Sequence, residues 1–343
     1  MNISNIESYP YQLKFKKPFK TANAIYEQRD GFILKIYSDS FTGIGEVSPL
    51  KGFNNETLQE CYYVLEAINQ TINNTDFSNK DELFDIFDLH ANTMPSLLFA
   101  LETAILDILS QESNLSISRY LNGDAKSILE LNGIHGLHNP SDGFQVMKVK
   151  LGYQNIYDDI EIMEKLSDIY SKEVKFRIDV NGQLDLVRAI RFCKSMEKFN
   201  IDYIEQPILA GNIEDLAELR LHTNIKIGVD ESIIDISSAH RLIDNDAADI
   251  FIIKPMTIGK YSTINKIIEL AKENDIDCVI TNMLDSAINR MACIQLSLYQ
   301  NITNACGISA DNLFEFDLAK TPKIKNGKIY ISDIPGLGIS IND

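Results

Sequence analysis

The stretch VKFRIDVNG, residues 174–182, decides the fold. A short apolar segment, too brief for a helix, runs into an Asp-Val-Asn-Gly turn signal, so it reads as one strand ending in a loop. Similar segments follow at DYIEQP (202–207), IKIGVD (225–230), DIFIIKP (249–255), DCVITNM (277–283) and ITNACGI (302–308). They recur at about 25 residues, one β/α unit per period. Two more, LELNGIH (129–135) and QVMKVKL (145–151), precede the series. Helix-like stretches at 155–170, 184–198, 213–222, 235–244, 260–274 and 286–299 fill the intervals. Eight segments so spaced predict a TIM barrel more readily than an open sheet. Only GLHNPSDG separates the first two, which leaves the first unit without a full helix. The expectation is an α/β chain built on a (β/α)7β-type barrel.

Upstream the pattern differs. YQLKFKKPF, GFILKIYS and TGIGEVSPL read as strands, and residues 56–74 and 95–112 as helices. In the latter, Pro95 suits a first turn, and Leu98, Leu101, Ile105 and Leu109 keep a helical spacing. Strands followed by helices predict an α+β unit over 1–125. The barrel, with the active site, then spans 126–318. The tail, 319–343, contains KIKNGKIYISDIPGLGI, strand-like with turn signals, and is expected to return to the N-terminal unit.

With 343 residues, 45% hydrophobic and 24% charged, the composition is that of a soluble globular protein. A net charge of −17 argues against nucleic acid and anionic membrane as partners. The N-terminus shows no secretory signal, and no apolar run approaches the roughly 20 residues of a membrane span. Five scattered cysteines without a CxxC pair predict a reducing, cytoplasmic setting with neither disulfide framework nor zinc site. The sequence leaves monomer and homo-oligomer both open.

In a parallel barrel, active residues gather at the C-terminal strand ends. Those ends carry Lys148 and Lys150, Asp179 and Asn181, Glu205, Asp230 and Lys254. Taken singly, each has a plain structural reading: a turn, a helix start, an N-cap, a lysine reaching for solvent at a strand end. Their recurrence on five successive strands calls for a common cause. Three facing carboxylates are costly unless neutralised. A hard divalent cation with oxygen ligands, Mg²⁺ with Mn²⁺ as a substitute, serves that purpose. Lys148 and Lys150 share one face of their strand, so each ammonium lowers the other's proton affinity, and burial adds to this. A lysine brought toward neutrality acts as a general base. The chemistry that uses both parts is proton abstraction next to a carboxylate, where a cation stabilises the second charge of the enediolate. The implied partner is a small-molecule carboxylate substrate.

The motifs KVK (148–150), DVN (179–181), EQP (205–207), DES (230–232) and IKP (253–255) resemble those of the enolase superfamily, within it the muconate-lactonizing subgroup. Lysine bases working with magnesium are an established pattern of that superfamily. The resemblance covers nearly the whole chain and makes the N-terminal unit a capping domain. It implies that Asp179, Glu205 and Asp230 bind Mg²⁺, that Lys150 is the base with Lys148 as its electrostatic support, and that Lys254 lies on the opposite face.

GIGEVSPLKGFNNETLQE (43–60) and CGISADNLFEFDLA (306–319) further resemble segments of the o-succinylbenzoate synthase family. The implied reaction is syn-dehydration of 2-succinyl-6-hydroxy-2,4-cyclohexadiene-1-carboxylate to o-succinylbenzoate, a step of menaquinone biosynthesis. Lys150 would remove the α-proton and return it to the departing hydroxyl. The alternative is a dipeptide epimerase or N-succinylamino acid racemase using Lys150 and Lys254 as two bases. Dipeptide epimerases usually carry an Asp-x-Asp near the eighth strand; this chain has Asp311 without that motif. A non-catalytic metal-binding barrel and an acid-sugar dehydratase rank lower, the latter because His222 and His240 fall on predicted helices. For substrate binding the expectation is Asn181, Phe19, Ile25, Phe53 and Met283, with capping loops at about 18–28 and 48–56. Asp285 either replaces the acid of the synthases' turn after the seventh strand or serves as a helix N-cap.

Overall fold

A computed structural model describes residues 2–20, 25–72, 77, 79–309 and 312–341. The N-terminal part opens with three antiparallel strands, β1 (Ile3–Lys20), β2 (Ile25–Ser38) and β3 (Thr42–Val47), in that spatial order. Four helices follow: α1 (Leu58–Ile72), α2 (Lys80–Ala91), α3 (Pro95–Glu112) and α4 (Ile117–Leu121). Helix α2 is an addition to the sequence reading. Its buried side chains are only Leu83, Phe87 and Ala91, a narrow stripe in an acidic segment, and Asn79 caps it by accepting from the Asp81 and Glu82 N–H groups.

Helix α3 is buried on nearly every side, because β3 covers one flank and the barrel another. The approach of β3 is close enough to require glycine. A Cβ at Gly43 would sit 1.9 Å from the Ala104 carbonyl oxygen, and one at Gly45 2.2 Å from that of Ala100. One apolar core, including Leu34, Ile36, Leu65, Phe87 and Leu101, fills the space between this sheet and α1–α3.

After β4 (Ile128–Glu130), which lies outside the barrel sheet, the barrel begins with β5 (Gly133–Ile134). It continues through β6 (Val146–Lys150), α5 (Ile156–Ile169), β7 (Lys175–Asp179), α6 (Leu186–Met196), β8 (Ile201–Glu205) and α7 (Ile213–Leu221). Then come β9 (Lys226–Val229), α8 (Ile236–Asp244), β10 (Ile250–Ile253), α9 (Pro255–Ile258), α10 (Tyr261–Glu273), β11 (Asp277–Ile280) and α11 (Ala287–Tyr299). Strands β5 to β11 form one parallel sheet in sequence order. Residues 306 and 307 join its two ends, Cys306 bridging Leu131 and Gly307 bridging Thr281, both in parallel sense. The eighth segment thus closes the ring by single bridges and not by a full strand.

LELNGIH, read as one strand, divides in two. Its first half, β4, pairs antiparallel with the tail strand β12 (Lys328–Tyr330), and its second half enters the barrel as β5. The tail strand therefore lies against the barrel. Among the described residues, the turn beyond it meets the N-terminal helices: Gly336 bridges Ser116, and the Leu337 N–H donates to Asp107 Oδ1 at 2.7 Å.

Candidate active site

Side-chain alternation on the strands builds the site in layers. On the inner face, Arg177 and Tyr203 lie one step below Asp179 and Glu205. Arg177 is almost fully buried, donates to Asp202 Oδ2 at 2.8 Å and stacks 4.7 Å from the Tyr203 ring. Above this floor, strand register aligns Lys150 with Asp179 and Asp179 with Glu205. Asp230 and Lys254 each stand one residue past their strand end.

Gln206 braces the acidic edge. It is fully buried in a left-handed conformation (φ 39°). Its Oε1 accepts from the Asp230 N–H at 2.9 Å and the Ser232 N–H at 3.2 Å, while its Nε2 donates to Ser232 Oγ at 2.8 Å. This ties the end of β8 to the residue that follows β9. Sequence reading passed over Gln206, because a buried amide bracing two loops leaves no periodic signature.

The three lysines have different partners. Lys148 Nζ lies 2.9 Å from Asp179 Oδ2 and 2.8 Å from Glu205 Oε1. Burial works against its charge, but Asp179, Glu205 and Asp230 hold its proton affinity well above that of a free lysine. Lys254 pairs with Asp230 and lies 4.7 Å from the Phe53 ring; burial is again outweighed, here by Asp230 and Glu231, and its pKa is raised. Lys150 alone points to a neutral acceptor, Asn181 Oδ1 at 3.2 Å. Its side chain reaches solvent at the mouth, yet the surrounding protein lowers its pKa, with Lys148 and Lys254 adding repulsion and Asp179 opposing. Asn181 is fixed by Tyr153, whose hydroxyl donates to Oδ1 at 2.5 Å, and by Glu231, whose Oε1 accepts from Nδ2 at 3.0 Å.

The carboxylates differ in how well the lysines offset their burial. Asp179, Glu205 and Asp230 are all buried. Burial, with Asp179 and Asp230 nearby, pushes the Glu205 carboxyl up to about 8, whereas Lys148 and Lys150 hold Asp179 below its ordinary value against burial. Glu231 Oε2 and Asn282 Nδ2 lack hydrogen-bond partners among the described residues. Among those residues no acidic group of three is gathered tightly around a point, since Lys148 and Lys254 draw the oxygens to themselves. Three buried carboxylates side by side, with a buried Glu231 oxygen that has no partner among the described residues, are nonetheless the hard oxygen donor set that a divalent cation takes.

A cavity of about 820 Å³ opens above these residues. Phe19, Phe53, Met283, Asn181 and all three lysines line it, as do Lys16, Lys17, His135 and Asn282. Two expectations need correction. Ile25 does not line the cavity; it ends the β1–β2 pairing opposite Lys20 and is 65% exposed. Asp285 is buried away from the cavity, accepts from the Met283 N–H and from Asn289 Nδ2, and lies 3.5 Å from Arg29. It is a contact between the two parts of the molecule, and the helix N-cap is its neighbour Ser286. Asp311 and the middle of the 18–28 loop, residues 21–24, lie outside the described residues.

The family model "Enolase C-terminal domain-like" matches residues 139–343, and "MenC, N-terminal domain" matches residues 3–108. The chain is 27% identical to the o-succinylbenzoate synthase of Bacillus subtilis, over 100% of this chain and 95% of that one. It is 26% identical to the L-amino acid-D/L-Glu epimerase of Francisella philomiragia, over 88% and 89%. The dipeptide epimerase of Enterococcus faecalis, solved with Mg and the dipeptide L-Leu-L-Tyr, superposes with a TM-score of 0.91 at 23% identity, over 99% of this chain and all of that one.

Proposed function

The chain belongs to the enolase superfamily, and from that premise we propose that it abstracts the α-proton of a carboxylate and, in its main reaction, dehydrates 2-succinyl-6-hydroxy-2,4-cyclohexadiene-1-carboxylate to o-succinylbenzoate. The observation that carries this reading is the division of labour among the lysines. Lys150 rests on a neutral amide with lowered proton affinity, while Lys148 and Lys254 are held charged by carboxylates.

Asp179, Glu205 and Asp230 would hold Mg²⁺, which when bound supplies Lewis-acid stabilisation of the second negative charge on the substrate carboxylate. Lys150 Nζ takes the α-proton, and Asn181 keeps the amine aimed. The electron pair left on the α-carbon spreads onto the carboxylate as an enediolate, then returns to form the ring double bond as the C–O bond to the neighbouring hydroxyl breaks. The Lys150 ammonium returns its proton to that hydroxyl, which leaves as water. Lys254 stays protonated and meets the developing charge, while Phe53 covers it from solvent.

Whole-chain similarity to the Bacillus synthase supports dehydration. A second reading, epimerisation with Lys254 as the opposing base, is favoured by the comparable similarity to the Francisella enzyme. The strong pairing of Lys254 with Asp230 suits a fixed cation better than a base. The test is a product assay with the cyclohexadiene carboxylate, run beside deuterium exchange into a dipeptide panel, with Mg²⁺ present and chelated. Fast dehydration with slow exchange is the expected result; the reverse pattern transfers the proposal to the epimerase.

A further inference from the structure

Lys254 stands just past the end of its strand, and the barrel does not seat it alone. It is the last residue before the one-turn helix α9, and its carbonyl accepts from the Thr257 N–H at 3.0 Å and from Thr257 Oγ1 at 2.9 Å. The position of α9 therefore sets the position of the Lys254 backbone. A single turn has too few internal hydrogen bonds to hold itself, so what packs on it must place it.

The capping unit supplies that packing. Asn54 Nδ2 donates at 2.9 Å to the Met256 carbonyl, one of those that so short a helix leaves without an internal partner. The Met256 side chain is buried, with its sulfur 3.9 Å from Ser48 Oγ. Just past α9, Gly259 lies so near α3 that a Cβ there would sit 2.9 Å from Pro95 Cα. The Tyr261 N–H then donates to Glu102 Oε2 of α3 at 2.8 Å.

Asn54 is itself held firmly. Its Oδ1 accepts from the Leu50 N–H at 3.1 Å, and the Phe53 and Asn54 N–H groups both donate to the Leu50 carbonyl at 3.0 Å. The same Nδ2 also donates to Glu56 Oε1 at 3.0 Å, and that oxygen accepts from the Ser96 N–H in the first turn of α3 at 2.9 Å. A continuous chain of hydrogen bonds thus runs from α3 through Glu56 and Asn54 to α9. The same turn carries Phe53, whose ring lies 4.7 Å from Lys254 Nζ. One tight turn meets the lysine at both ends, its backbone through Asn54 and its ammonium through Phe53.

We propose that Asn54 is a positioning residue for Lys254: it locks α9 through the Met256 carbonyl, so that seating of the capping unit and placement of this ammonium are coupled. It rests on the reading above only in giving Lys254 a part in the reaction.

The test is a double-mutant cycle of Asn54→Ala with Lys254→Ala in the full chain loaded with Mg²⁺, assayed on the cyclohexadiene carboxylate and on the dipeptide panel. Asn54→Ala alone should lower kcat about tenfold with KM kept within about twofold. In the Lys254→Ala background the same change should lower kcat by no more than about twofold, because no ammonium is left to misplace. Asn54→Asp keeps the acceptor for the Leu50 N–H but has no donor for Met256, so it should lower kcat as much as Asn54→Ala. Hydrogen exchange should show the α9 amides opening about fivefold faster in both variants, the worth of one hydrogen bond. Losses that add in the cycle, wild-type turnover in Asn54→Asp, or α9 amides that exchange at the wild-type rate overturn the proposal. If the wild type turns over neither substrate, the reaction reading fails, and the α9 amides alone decide whether Asn54 holds the Lys254 backbone.

Discussion

Glu46, on the third strand of the N-terminal sheet, caps a helix of the barrel: its Oε2 accepts from the Asn289 N–H at 3.0 Å and from Ser286 Oγ at 2.6 Å, and its Oε1 accepts from the Ser286 N–H at 3.1 Å. A carboxylate at a helix N-terminus meets both orphan N–H groups and the positive end of the helix dipole. Because the acid comes from another layer of the molecule, the cap also docks the sheet that carries Lys16, Lys17 and Phe19. Arg29 works beside it, donating to the Pro49 carbonyl at 3.1 Å and lying near Asp285.

Removing Glu46 should therefore loosen the whole rim. Glu46→Ala leaves buried donors on Ser286, Asn289 and Tyr11 unmatched and should cost about 3 kcal/mol or more in urea unfolding. Glu46→Gln keeps an acceptor and loses the charge, so it should cost about 1 to 2 kcal/mol. A Gln variant as unstable as the Ala variant would show that charge, and not hydrogen bonding, holds the contact.

Lys150 and Lys254 should separate kinetically. Lys150→Ala should lower kcat by about 10²- to 10⁴-fold, the range of a lost general base, with little change in KM. Lys254→Ala should also slow dehydration but should leave measurable exchange of the substrate α-proton with deuterated solvent, because the base is intact. If Lys254→Ala abolishes exchange as fully as Lys150→Ala, Lys254 takes part in proton transfer.

Chelation of Mg²⁺ should abolish turnover, and Gln206 should set how tightly the ion returns. Gln206→Met preserves approximate shape but leaves the Asp230 and Ser232 N–H groups without their acceptor. Loss of a buried bracing partner behind a ligand typically weakens metal affinity 10- to 100-fold. Mg²⁺ titration followed by calorimetry should show a shift of that size with kcat at saturating Mg²⁺ largely kept. An unchanged affinity would mean that Gln206 braces the loop without tuning the ligand.

The barrel was legible because strand ends repeat, and the charged residues closing KVK, RID, IEQP and IGVD fall at those ends. Where period and chemistry coincide, sequence reading located the residues that the fold brings together. It failed where neither applied. Nothing local distinguishes Asp285, which faces Arg29 from across the domain contact, from an acid facing the substrate. Lys17 was overlooked because a surface lysine on a strand is ordinary until a bulge turns it toward a cavity. The split of LELNGIH likewise depends on a partner about 200 residues away in the chain, the tail strand at Lys328–Tyr330, that no local pattern announces.

Asp107 supplies a stability signal that varies with pH. Its carboxyl is buried in α3 and accepts from the Leu337 N–H at 2.7 Å, the Ile44 N–H at 3.0 Å and Gln111 Nε2 at 2.9 Å, joining the tail, the sheet and the helix. Burial pushes it up to about 6, and these hydrogen bonds pull it back only in part. The folded value thus lies above the unfolded one, so the protonated form is the one that folding favours. Its contribution is fully present below about pH 4 and is lost as pH rises through about 6, with no further change above. The size of the loss should be about 2 to 3 kcal/mol. Asp107→Asn does not titrate and starts less stable, since its amide sets a donor against one of the N–H groups. Urea unfolding of both proteins between pH 4 and pH 8 should show the wild-type advantage narrowing up to about pH 6 and then holding constant. An advantage that widens with pH over this window would mean that the hydrogen bonds, and not burial, govern the Asp107 carboxyl.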